Sequence, residues 1–274
     1  MTSTPTIPST STPATSPPTL DPVAVSTVRR LGRALLNEYV KLTTVRAYWA
    51  IAALTVTVGT LVTWGVARYV DDEPMTVATL FLFASVFTAV FAAVAGILLF
   101  STDAQHGSLG PTLSAQPRRW VVATAKATIT AVFGAALGLV GVASGLLGGV
   151  LGGIPAGDTS TILESSLWAV AFTTLSALLG LGVGMIARHS TAAISGLLVW
   201  WLVVENLLAV FLDPQLSRFL PFAAGNGLLQ IVIDDPDALA VALSLPQNAA
   251  VFGGYALLAL VVGTALLHLR EGPP

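Results

Sequence analysis

Two stretches of this chain are too long and too apolar for a water-soluble fold. Thr76 to Phe100 runs for 25 residues without a charge, and Trp120 to Gly153 carries a single one, Lys126. A helix rises about 1.5 Å per residue, so either stretch can cross a hydrocarbon layer of about 30 Å. Composition agrees: 54% of the 274 residues are hydrophobic and 9% charged, where soluble chains carry about 25% charged residues. The expected fold is an all-α integral membrane protein. Its spans lie at about 47–69, 76–100, 120–153, 167–187, 191–212 and 249–269. There is no cysteine, which removes disulfides, thiolate metal sites and thiol nucleophiles.

The first 25 residues are Ser-, Thr- and Pro-rich and read as a disordered tail. They have neither the basic start nor the apolar core of a signal peptide. Residues 28–46 differ. Val28, Leu31, Leu35, Tyr39 and Leu42 recur every three or four positions, while Arg30, Arg33, Asn37, Lys41 and Thr44 fill the other face. This pattern predicts an amphipathic helix in the headgroup plane, with Arg30, Arg33, Lys41 and Arg46 on lipid phosphates. The other reading is a soluble helix packed on a partner. Residues 26–274 form one membrane domain.

Six spans put both termini on one side. Ten cations (Arg29, Arg30, Arg33, Lys41, Arg46, Arg118, Arg119, Lys126, Arg188 and Arg270) fall on the side of the termini, and only Arg68 and Arg218 on the other. The positive-inside rule therefore makes the termini cytoplasmic. Thr191 then starts the fifth span on the cytoplasmic side, and Glu205 lies about 21 Å along it. It is the only carboxylate well inside a span, so it should face the bundle interior or a wet vestibule. There it serves as a substrate or gating group, or as a structural tie between helices. The segment 213–248, broken by Pro221, Gly225 and Gly227, is expected to be re-entrant or to lie on the surface.

Glycines at Gly134, Gly138, Gly141, Gly145, Gly149 and Gly153 line the third span. They suit a sliding or dimerising face, or ordinary close packing within one bundle. The polar interruption Ser101–Arg119, STDAQHGSLGPTLSAQPRR, looks like a docking element rather than a simple turn. The chain has no phosphate-cradling G-x-x-x-x-G-K-[ST] loop and no H-E-x-x-H. The reading is therefore no catalytic residue, no metal and no cofactor bound by this chain, and no nucleic-acid partner.

Three stretches carry a resemblance. EYVKLTTVR, from Glu38 to Arg46, is similar to the first helix of actinobacterial permease subunits of the type-two ABC exporter family. Asp103 to Lys126, with Gly107, Leu113, Pro117 and Arg118, resembles their first cytoplasmic loop. Leu220 to Asn226, LPFAAGN, resembles a motif of their last extracellular segment. Where that loop usually begins with Glu and a bulky aromatic, this chain has Asp103 and Ala104. The resemblance implies a subunit of the bacterial cytoplasmic membrane that pairs with a second copy and takes its energy from a separate ATPase holding ATP and Mg. It also implies a coupling helix within 101–119, with Asp103, His106, Gly107, Leu109, Leu113, Pro117, Arg118 and Arg119 as docking residues. The implied activity is outward movement of a hydrophobic or amphiphilic substrate. Two other classes compete: a membrane sensor or immunity protein that binds an amphiphile without moving it, and an intramembrane lipid enzyme.

Overall fold

The computed structural model describes residues 27–69, 77–105, 107, 119–155, 157–230 and 240–270. Among them there is no strand. An amphipathic helix, α1 (Thr27–Thr44), leads into α2 (Arg46–Tyr69), α3 (Val77–Gln105), α4 (Arg119–Leu151) and α5 (Thr159–Ala187). Then follow α6 (Ser190–Phe211), the short α7 (Pro214–Ser217) and α8 (Pro221–Gly227), and finally α9 (Leu245–Arg270). Six of these, α2 to α6 and α9, are long and apolar enough to cross a membrane. The expected tail at 1–25 lies outside the described residues.

Burial separates centre from rim. In α3 and α5, 61% of the apolar window is buried, against 17% in α2 and in α6. The three-helix centre α3–α4–α5 is thus wrapped by α2 on the α4 side and by α6 and α9 on the α5 side. Small residues make the centre possible. A Cβ added to Gly96 of α3 would sit 2.0 Å from the Ala177 carbonyl oxygen of α5, and one on Gly180 would sit 2.0 Å from that of Ala93. The two backbones therefore touch, and neither glycine accepts a side chain. The glycines of α4 behave similarly: Gly134 and Gly138 face Thr174 and Val170 of α5, while Gly141 and Gly145 face Thr88 and Phe81 of α3. Within this chain that stripe is a packing surface for its neighbours.

Helix ends follow their local chemistry. Val45 interrupts α1 and α2, and the Trp49 indole closes the elbow by donating to the Thr43 carbonyl at 3.0 Å. Arg188 adopts the left-handed conformation (φ 57°) after α5, and His189 caps α6 by accepting from the Ala192 N–H at 3.4 Å. Pro221 opens α8 at a position where a missing N–H costs nothing. The helix α5 starts at Thr159 rather than at 167, so Glu164 belongs to its first turns. The helix α3 continues to Gln105, five residues into the polar interruption. Gly107, just beyond, has φ 70°, a conformation open to residues without a Cβ.

Candidate functional site

The end of the bundle that carries α1, called here the near end, holds a closed ring of charges. Lys126 of α4 is fully buried, about 10 Å along the helix from Arg119. Its ammonium donates to Glu38 Oε2 of α1 at 3.0 Å, to Asp103 Oδ2 of α3 at 2.6 Å and to the Leu99 carbonyl at 3.0 Å. Those three bonds use every donor a lysine has. Lys41 of α1 closes the circuit, 3.2 Å from Glu38 Oε1 and 2.8 Å from Asp103 Oδ2. Two ammonium groups and two carboxylates alternate around the ring, so the buried charge sums to zero. Under the ring, Leu35 and Leu42 of α1 pack on Tyr48, Leu99 and Ile129, and Tyr48 meets the Phe133 ring edge-on at 5.6 Å.

Three helices are joined here, and each brings its group for a local reason. On α1, Glu38 and Lys41 are three residues apart and so share a face. On α3, Asp103 lies in the last turn, where the apolar run has ended. On α4, Lys126 is the one charge between Trp120 and Leu151, and burying an ammonium there is costly unless anions stand beside it. Of the four ring members, Glu38 and Lys41 lie on α1, outside the spans. Burial alone would lower the pKa of Lys41, but the hydrogen bond to Asp103 and the charges of Glu38 and Asp103 outweigh that and hold it above the ordinary 10.5.

The far end holds Glu205 by different means. Within α6, residues Trp200–Val204 form a π-turn, one residue wider than an α-turn. The side chain of Asn206 donates to the carbonyls of Trp201 and Leu202 at 3.0 and 3.2 Å, covering groups of the widened turn. Glu205, directly after it, is buried. Its Oε1 accepts the Ala223 N–H at 2.5 Å and its Oε2 accepts the Trp200 indole at 3.1 Å. Ala223 is in the first turn of α8, where Leu220 supplies no side-chain cap. Glu205 is therefore the cap of α8, reached from another helix. The short helix is held in place by Phe222, which stacks on Trp201 at 4.1 Å beside Phe172 and Phe252.

The other residues singled out in the sequence are dispersed. The Arg119 guanidinium donates to the Leu267 and His268 carbonyls at 3.3 and 2.6 Å, so it covers the carbonyl end of α9. Arg33 and Arg46 are exposed on α1 and at the start of α2. His106, Leu109, Leu113, Pro117, Arg118 and the side chain of Arg30 lie outside the described residues. Lys41, expected on the face toward lipid phosphate, is placed in the ring together with Glu38, while Leu36, Tyr39 and Val40 are exposed apolar residues of α1. In the sequence Lys126 counts as a cation and Glu38 opens the stretch that carries the resemblance, and neither is singled out as a site residue. The available signal was that each is a single charge among residues of the opposite kind. No family model matches this chain, and no curated protein matches it.

Proposed function

We infer that this chain is the membrane-spanning subunit of an ATP-driven exporter, energised by a separate ATPase that docks on the polar segment 101–119. The observation that carries the reading is the ring at the base of that segment. The helix α3 runs unbroken into it as far as Gln105, and Asp103 is tied at once to α1 and α4. A push on the segment would then reach three helices together instead of being absorbed by a slack loop. The resemblance of Glu38–Arg46 and Asp103–Lys126 to ABC permeases supports the same reading, with a second copy of the chain completing the pathway. The carried molecule is a hydrophobic or amphiphilic one, moved outward across the bacterial cytoplasmic membrane, with both termini inside.

The test is affinity purification of the tagged chain from its native host in mild detergent. A nucleotide-hydrolysing subunit with a phosphate-binding loop should be retained, and ATP hydrolysis should depend on it. Arg118→Glu should lose that partner while the chain stays folded. It is a cleaner test than reversing Arg119, which also holds α9. A folded chain that retains no such subunit under cross-linking would end the proposal.

A further inference from the structure

Beside the ring, between α1, the start of α2 and the near end of α3, lies a cavity of about 310 Å³. Its walls differ in kind. Lys41, Thr102 and the ring carboxylates are its polar lining; Leu42, Val45, Leu98 and Leu99 are its apolar lining, with Tyr48 completing it. This size is at the lower end for small-molecule sites, which run from about 300 to 1,000 Å³. It suits a headgroup and the first carbons of one chain, not a whole lipid.

Charge selects the headgroup. Each Glu38 oxygen already accepts from a lysine, and Asp103 Oδ2 accepts from both. The Lys126 donors are all used inside the protein. Lys41 uses two of its three N–H groups on the ring, and its side chain keeps 32% of its exposure. The ring as a whole is neutral, and the exposed Arg46, between the lining residues Val45 and Ala47, puts a positive charge at the border of the cavity. Val45, with no side-chain acceptor, leaves the first turn of α2 uncapped by its own side chain, which adds to the positive field. A free anion would satisfy Lys41 but leave the leucine and valine wall bare. An amphiphile covers both.

We propose that this cavity is a binding site for one phosphate-bearing amphiphile, its phosphate on Lys41 and its chain against Leu42, Val45 and Leu98. The site is independent of the transport reading and needs no ATPase. Full-length protein, stripped of lipid in detergent, is titrated with dioctanoyl phosphatidylglycerol and followed by native mass spectrometry. Parallel titrations use dioctanoylglycerol, which lacks the phosphate, and inorganic phosphate, which lacks the chain. The wild type should take up one phospholipid, at least tenfold more tightly than the diacylglycerol, and millimolar phosphate should not displace it. Ala47→Trp fills the cavity from an exposed position on α2 and leaves the ring intact; it should weaken uptake at least tenfold without changing the melting temperature. Val45→Trp serves the same purpose if the first variant is unstable, and Lys41→Arg should retain binding. Equal uptake by wild type and both tryptophan variants would overturn the site. Equal binding of the diacylglycerol, or displacement by inorganic phosphate alone, would overturn the assigned ligand.

Discussion

The two ends of the bundle keep carboxylates out of water by opposite strategies. At the near end, Glu38 and Asp103 are balanced by whole charges, Lys41 and Lys126, delivered from three helices. At the far end, Glu205 forms no ion pair with a cation among the described residues. It rests on an indole N–H and on the N–H groups that open α8. A charge ring depends most on its fully buried member, because removing that one leaves the carboxylates around it unpaired out of water. A dipole cap is more forgiving, because a neutral acceptor of the same shape preserves part of it. The near end should therefore respond sharply at Lys126 and weakly at the partly exposed Lys41, and the far end in steps.

The largest expected effect comes from breaking the ring at its fully buried member. Lys126→Met leaves two carboxylates facing each other with only Lys41 between them. Removing one partner of a buried pair costs about 3–5 kcal/mol. Thermal melting of the detergent-solubilised protein should fall steeply, and adding Asp103→Asn should recover part of the loss. A single variant as stable as wild type would show that the ring holds nothing.

Glu205→Gln comes next. The amide oxygen can still accept from α8, but the amide N–H then faces the Trp200 indole, donor against donor. A loss of about 1–2 kcal/mol is expected, read as a lower melting temperature, and Trp200→Phe in the same chain should relieve it. If the stability of Glu205→Gln is unchanged while substrate-stimulated ATPase in the assembled complex falls, the residue is functional rather than a cap.

The smallest effect is that of Lys41, which is partly exposed. Its pKa is raised by Glu38 and Asp103, so its contribution is fully present below about 10.5. It is lost as the pH climbs through the raised value. The stability gap between wild type and Lys41→Met should be flat from neutral pH to about pH 10, at about 1 kcal/mol or less. It should shrink only in more alkaline solution. A gap that closes between pH 5 and 8 would mean that another group is titrating.

What the sequence reveals and what it hides divide along the same physical line. A span is a local property: twenty-odd residues with no charge announce themselves, because hydrocarbon penalises each ionised group wherever it lies. Glu205 could be singled out for that reason, and its depth followed from counting residues. The ring is not local. Glu38, Asp103 and Lys126 meet only after α1, α3 and α4 pack, and nothing in the spacing of 38, 103 and 126 relates them. Helical periodicity assigned Lys41 and Tyr39 to faces of α1, but the Lys41 ammonium is fixed by Asp103 from another helix. The cap on α8 was hidden in the same way, since its acceptor lies on α6. Glycines were legible as contacts but not as to whose; the structure gives their partners within this chain.

The π-turn at Trp200–Val204 has a consequence for how this sequence can change over generations. One residue in an α-helix corresponds to about 100° of rotation. A helix of the same sequence lacking one residue of that turn would carry Glu205 about 100° around its axis, away from α8. Everything from Glu205 to Phe211 would rotate with it. Single substitutions in the turn leave that phase alone, whereas a one-codon deletion changes it at a stroke. The segment is thus strict in its length as well as at Trp200 and Trp201, and a lineage that shortened it would have to find another cap for α8.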